Sequence, residues 1–329
     1  MDTFAIAAVL LGTLVVFGYL AVIWWMDRYE REPIWLTLLV FAWGGLGGTS
    51  LGCLCSLPFV LSAIVVGGQT AGSVVGAVLV APAVEEVTKG VIFIALAFSR
   101  HLDNQTDGLI YGAAAGLGFA AVENILYVLQ SAGAGTSALL MLVFMRTFFS
   151  AIVHCISSGI LGMMIGYASH RSGAARWFVW PAIGLALAVV NHAIWNGLAT
   201  AAQFEVIGDS SPLLMLLAIL IVIAAAGGMF GLTQYSLTLE HKMIRQYLRA
   251  EAEQGVLPAE HAEIIPFWLR RVRRDWLPPH VPQVRYIRTA TRLALRQHQL
   301  EIAHGERRER YLSDIAELRR DLARMLTKA

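Results

Sequence analysis

Ten polar residues stand inside stretches that are otherwise apolar: Glu85, Glu86, Lys89, Glu123, Asn124, Arg146, His154, Asn191, His192 and Asn196. Carboxylates beside imidazoles can activate water for attack on a carbonyl. A glutamate acts as general base, while imidazole and amide donors stabilise the oxyanion or hold a metal. Nucleophilic catalysis has less support. Thr88 and Ser150 lack a base in register, and Cys155 follows His154 in sequence but projects elsewhere on a helix. There is no His-Glu-x-x-His, so the helix that builds many zinc peptidases is absent.

Spacing groups these residues. In Glu85-Glu86-Val87-Thr88-Lys89 the lysine lies four residues from one glutamate and three from the other, so it can reach either carboxylate. Pro82, one turn earlier, frees a backbone carbonyl and bends the helix beside them. Phe119 and Glu123 share a face, Arg146, Ser150 and His154 form one stripe, and His192 and Asn196 are again one turn apart. Read singly, Lys89 and Arg146 serve equally well as structural ion-pair partners. Asn196 serves equally well as an interhelical hydrogen-bonding group, and Asn124, Asn191 and either histidine taken alone read first as such groups. Three glutamates and two histidines on different helices are harder to read as glue, and the set as a whole points to a functional site.

The elements that must carry them are membrane spans. Of 329 residues, 57% are hydrophobic and 15% charged, against about 25% charged in soluble domains. Mean hydropathy is +0.62. These values exclude disorder, and three cysteines, an odd number in apolar surroundings, exclude a disulfide framework. A bilayer core needs roughly 20 apolar residues per helix. Seven such stretches are expected: 3–26, 34–66, 74–98, 108–130, 137–167, 178–201 and 212–238. The first is not a cleavable signal peptide, since Asp2 stands where a basic segment belongs and the apolar run is too long. Each buried charge costs about 2.5–3.5 kcal/mol, so five ionisable residues standing alone would cost on the order of 15 kcal/mol. They must face one another or water.

Loop charges orient the spans. Arg28 and Arg31, Arg100, and Arg171 and Arg176 lie in alternate loops, while the loops at 67–73, 131–136 and 202–211 hold no Lys or Arg. By the positive-inside rule the N-terminus is outside and the C-terminal part is cytoplasmic, in a plasma (inner) membrane. The chain therefore divides into a transmembrane domain, 1–239, and a basic extension, 240–329, with 18 Lys+Arg against 12 Asp+Glu. The span glycines, such as Gly112, Gly116 and Gly118, read as close helix-packing positions, and no phosphate-binding loop is present.

In the extension, Trp268 and Trp276 mix with Arg270, Arg271, Arg273 and Arg274, a pattern suited to the lipids of the cytoplasmic leaflet. Tethering to the membrane argues against nucleic acid as a partner. Between Tyr286 and Lys328, apolar positions from Leu293 to Leu326 predict two amphipathic helices around Gly305, either a hairpin or a homo-oligomer contact.

Glu-Glu-x-x-Lys (85–89), Phe-x-x-x-Glu-Asn (119–124) and His-x-x-x-Asn (192–196), in that order on successive helices, resemble the PrsW family of intramembrane proteases. Arg146 with His154, and Arg31-Glu32-Pro33, also resemble it, and the likeness spans roughly residues 27–200. The related CAAX prenyl endopeptidases and bacteriocin-processing proteins carry Glu-Glu-x-x-x-Arg, Phe-x-x-x-His and His-x-x-x-Asn. Lys89 and Glu123 set this chain on the PrsW side.

The resemblance implies an all-α polytopic fold and an intramembrane endopeptidase that cleaves single-span, anti-sigma-factor-like membrane proteins. Glu85 or Glu86 would be the base, with Glu123 and His192 as ligands or water-positioning groups. Asn196 would be an oxyanion donor, His154 a further ligand, and Lys89, Asn124 and Arg146 supporting groups. A metal held by Glu123, His154 and His192, with zinc the candidate, and a metal-free mechanism both stay open. The same buried Glu/His/Lys set would also suit a proton-coupled transporter or channel, the rival reading.

Overall fold

The computed structural model describes residues 3–29, 31–99, 101, 102, 104–131, 133, 135–169, 171, 173–204, 211–302 and 305–327. Asp2, Arg100, residues 205–210 of one loop, and Lys328 lie outside the described residues. Among the described residues every regular element is helical. The helices are α1 (Thr3–Met26), α2 (Ile34–Ala42), α3 (Thr49–Val75), α4 (Ala81–Gly90), α5 (Ile92–Ala97), α6 (Gln105–Gln130), α7 (Thr136–Met145), α8 (Ala151–Ser169), α9 (Arg176–Gln203), α10 (Ser211–Glu253), α11 (Ala259–Ile264), α12 (Trp268–Arg271), α13 (Gln283–Ile302) and α14 (Glu306–Thr327). Three π-helical segments are spliced into the series: π1 (Trp43–Gly48), π2 (Gly76–Val80) and π3 (Arg146–Ser150).

Six helical runs are long and apolar enough to cross a membrane, and one of them, Ile34–Ala97, is 64 residues long. That run is folded back on itself. Gly68 has φ 81°, a conformation open to glycine and strained for other residues. A β-carbon on Gly72 would fall 2.6 Å from the Ile64 backbone, and one on Gly76 would fall 3.1 Å from Val60. The chain thus reverses at Gly68, and the two expected spans 34–66 and 74–98 are its two arms. Seven apolar arms result, in an all-α polytopic membrane protein.

By contacts the chain forms two units, one of Met1–Met26 with Glu32–Gly231 and one of Asp27–Arg31 with Leu232–Ala329. At the centre of the first, α6 is buried along nearly its whole length from Thr106 to Ala121. Its N-terminus is fixed by a capping box, Asn104 with Asp107. Its glycines explain the burial. A β-carbon on Gly108, Gly112 or Gly116 would lie 2.1–2.2 Å from the carbonyl oxygens of Gly162, Ser158 and His154. α6 and α8 therefore meet backbone to backbone in antiparallel sense. On another face of α6, Gly44 of π1 abuts Ala115 and Gly118 abuts Phe41 just as closely. Without water to drive association, such close packing is what holds helices together in lipid.

The second unit has its own core of Ile244, Leu248, Leu257, Ile265, Tyr286, Leu293, Ile315 and Leu322. α13 and α14 form the expected hairpin, turned at Gly305 with φ 59°. Their apolar faces are buried within the chain, although Leu312 remains exposed. Buried Glu251 on α10 accepts from Arg319 on α14 through both oxygens, at 2.8 and 2.6 Å, a two-pronged geometry favoured by guanidinium and carboxylate.

Candidate active site

Four helices of the first unit bring the polar residues together. On α4, Lys89 Nζ lies 2.5 Å from Glu86 Oε1, and both side chains are fully buried. The lysine thus pairs with the nearer of its two possible partners. It also sits over the Phe119 ring, 4.4 Å from its centre, and 3.2 Å from His154 Nδ1. Glu86 is saturated: its second oxygen accepts from Ser158 Oγ at 2.9 Å, and His192 Nδ1 stands 3.0 Å from the first.

Glu123 on α6 is also paired. Arg146 Nη2 lies 2.6 Å from its Oε2 and His154 Nε2 lies 2.8 Å from the same oxygen. Arg146 in turn donates from Nε to Asn124 Oδ1 at 3.0 Å and packs on Tyr127, 3.7 Å from the ring centre. Asn124 and Arg146 are therefore supports of Glu123, as their types suggested.

These contacts fix the imidazole tautomers. An ammonium only donates, so His154 Nδ1 is the acceptor and Nε2 carries the hydrogen offered to Glu123. His192 Nδ1 faces a carboxylate and donates to it, which leaves the Nε2 lone pair free. That nitrogen points to Glu85 Oε2, 3.8 Å away. The two rings meet edge to face at 4.6 Å.

Glu85 is the remaining carboxylate. Lys89 answers Glu86. Glu85 Oε2 and Glu123 Oε2 are both buried without a well-aligned hydrogen bond among the described residues, but Arg146 and His154 lie 2.6 and 2.8 Å from the Glu123 oxygen, whereas no lysine or arginine among the described residues pairs with Glu85. A buried charge without a partner is costly, so the Glu85 oxygen requires water, a proton or a cation. Glu85, His154 and His192 offer ligand atoms all within 4.8 Å of one another. One carboxylate with two imidazoles is a donor set of catalytic zinc sites, so the residue types fit such an ion, while both His154 nitrogens are engaged by Lys89 and Glu123 in this arrangement. The sequence reading grouped Glu123 with the histidines; the geometry puts Glu85 in that place, because Arg146 occupies Glu123.

The other expected residues are placed as follows. Asn196 donates to the Ala77 carbonyl at 2.9 Å. In the π register of π2 that carbonyl would bond the N–H five residues on, and position 82 is a proline, which has none. Asn196 takes the place of that missing partner with one amide hydrogen, keeping a second. Asn191 donates to Ser157 at 2.8 Å, as interhelical glue. Thr88 spends its hydroxyl on the Gly48 and Glu85 carbonyls. Cys155 packs with the apolar core. Glu32 of the Arg-Glu-Pro stretch accepts from the Tyr111 hydroxyl and so ties the start of α2 to α6. Ser158 is the group that the sequence reading missed, although its place one turn after His154 on the same stripe was a usable signal.

Comparison with known proteins places the chain in a family. A sequence model described as PrsW family intramembrane metalloprotease matches residues 32–226, a range that holds every residue of the cluster. The chain belongs to the PrsW family. Protease PrsW of Bacillus subtilis (strain 168) is 30% identical over 53% of this chain and 74% of its own length. Those of Geobacillus kaustophilus and Oceanobacillus iheyensis are each 27% identical, over 72% and 70% of their lengths. No solved structure matches the chain. As a PrsW-family member the protein is a membrane protease. α1, whose Gly12 and Thr13 line a cavity together with Asn124 and Arg146, lies outside the matched range.

Proposed function

We propose that the protein cleaves a peptide bond of a single-span membrane protein by glutamate-activated water, with Glu85 as the base. The observation that carries this reading is the unpartnered, buried Glu85 Oε2 facing the free Nε2 of His192. A water held between them gives a proton to Glu85 as its oxygen attacks the scissile carbonyl carbon. The carbonyl electron pair moves onto oxygen, where the second amide hydrogen of Asn196 is the donor assigned to it. Collapse breaks the C–N bond as Glu85 returns the proton to the leaving amine.

Glu86 is assigned to hold His192 in the tautomer that keeps Nε2 free, with Lys89 and Ser158 holding Glu86. Glu123 and Arg146 orient His154. Glu85, His154 and His192 would hold a metal, with zinc the candidate, and such an ion would polarise the carbonyl and acidify bound water. His154 would have to exchange Lys89 or Glu123 for that role. The relatives' printed name, protease, supports hydrolysis; an anti-sigma-factor-like substrate follows the family resemblance. The loop arginines support a plasma-membrane topology with the N-terminus outside and the second unit cytoplasmic.

The test is cleavage of a membrane-tethered reporter by Glu85→Gln, Glu86→Gln and His192→Ala variants matched for folded amount. Glu85→Gln should abolish product, and full cleavage by all three would sink the reading. Metal content of the purified protein, with and without chelator, decides whether an ion is needed.

A further inference from the structure

Helix α12 exposes apolar and cationic side chains together. Leu269 is 77% exposed and Val272 is 62% exposed, and they alternate with exposed Arg270, Arg273 and Arg274. Arg273 also reaches Asp275 at 2.9 Å, both well exposed. Gln283 at the start of α13 donates to the carbonyls of Arg271 and Arg273 at 2.6 and 2.8 Å. This stapling holds the 72%-exposed Val284 beside the segment.

The location of this patch follows from chain connectivity. The apolar span of α1 ends at Met26, and the residues just beyond it grip α12. Arg271 donates to the Arg28 carbonyl and lies 5.3 Å from the Tyr29 ring centre. Tyr29 Oη donates to the Pro266 carbonyl at 3.1 Å, and Arg28 sits 5.9 Å from the Trp268 ring centre. The patch is thus fastened two or three residues past the point where the chain leaves hydrocarbon.

We propose that α12 and the residues that follow it, through Arg274, form a membrane-surface anchor, seating Leu269 and Val272 in the headgroup region of an anionic bilayer with Arg270, Arg273 and Arg274 on lipid phosphates. Apolar side chains next to arginines suit that boundary, and each basic residue near an anionic surface adds about 1 kcal/mol. Together, three arginines would favour the seated state on the order of a hundredfold.

The experiment uses the full chain in nanodiscs of phosphatidylcholine alone or with phosphatidylglycerol, exposed to trypsin, with cleavage after Arg270, Arg273 and Arg274 followed by mass spectrometry. Cleavage should slow at least tenfold in anionic discs and recover in high salt. The Leu269→Ser/Val272→Ser variant, which keeps every arginine, should lose protection. Equal rates in the two lipids would overturn the proposal, as would equal protection in detergent, which would mean that the fold itself covers the site. Protection conferred in neutral discs by added duplex DNA would overturn it in favour of a nucleic-acid surface. The lipid comparison stands without the variant should that variant misfold.

Discussion

Glu86 and Lys89 form a fully buried pair, and breaking one side of such a pair leaves an uncompensated charge that costs about 3–5 kcal/mol. Lys89→Met is therefore expected to lower the folded yield sharply. Lys89→Met with Glu86→Gln should restore most of the yield without restoring cleavage, because His192 then loses its carboxylate acceptor. Folded amount by size exclusion and product by gel separate the two effects. Ser158→Ala removes one hydrogen bond to Glu86 and leaves the lysine in place. Its expected effect is an activity loss of roughly tenfold, since outer-shell partners of a reacting histidine cost about 10–100-fold. The folded amount should not change. Spacing showed that Lys89 could reach a glutamate but not which one. It could not show that Glu85, rather than Glu123, faces both histidines. That choice depends on helix rotation and on Arg146 arriving from another helix, neither of which is written in local sequence.

The glycine stripe of α6 does at the level of an element what the ion pairs do at the level of residues. Because Gly116 meets the His154 carbonyl, the backbone that bears His154 is set by the absence of a β-carbon at position 116 of α6. Gly116→Ala would drive that carbon to 2.1 Å from the carbonyl oxygen. Separation of α6 and α8 should then cost about 1–3 kcal/mol and reduce cleavage by more than tenfold, because misplacement of reacting groups by an ångström costs about a hundredfold. Gly227→Ala on α10 meets no atom within 4 Å and should leave thermal stability and activity unchanged, so the pair of variants separates packing from general glycine loss. The stripe was legible as small residues at helical spacing, and the reversal near Gly68 as an uncharged loop between two apolar runs. The three π segments were not legible. Their insertion depends on tertiary contacts such as Asn196 with the Ala77 carbonyl, which join residues more than a hundred positions apart.

At the scale of the whole molecule, each of the two units has an apolar core of its own. The second unit contains a buried imidazole far from the candidate active site in sequence: His261 stands 2.8 Å from Tyr286 Oη and edge to face with Trp276. Burial holds its pKa below the ordinary histidine value. The unfolded chain therefore binds this proton at a higher pH than the folded one does, and stability depends on pH accordingly. Above the ordinary histidine pKa both states are neutral and the effect vanishes; as pH falls through and below about 6.5, protons favour the unfolded state. Glu263, held at about 2 by Arg249 and Arg245, works in the same direction, but only when pH falls through the ordinary carboxylate range. The interval from pH 7.5 to 5.5 thus separates histidines from carboxylates, and a variant at position 261 separates His261 from other histidines of the unit such as His241, His280 and His298. Amide exchange of α11 and α13, measured on the full chain in nanodiscs, should accelerate across that interval after correction for intrinsic rates. His261→Phe should flatten the response while leaving the core closed at pH 7.5. A response of equal slope in that variant would assign the pH sensitivity to another group and leave His261 as packing alone.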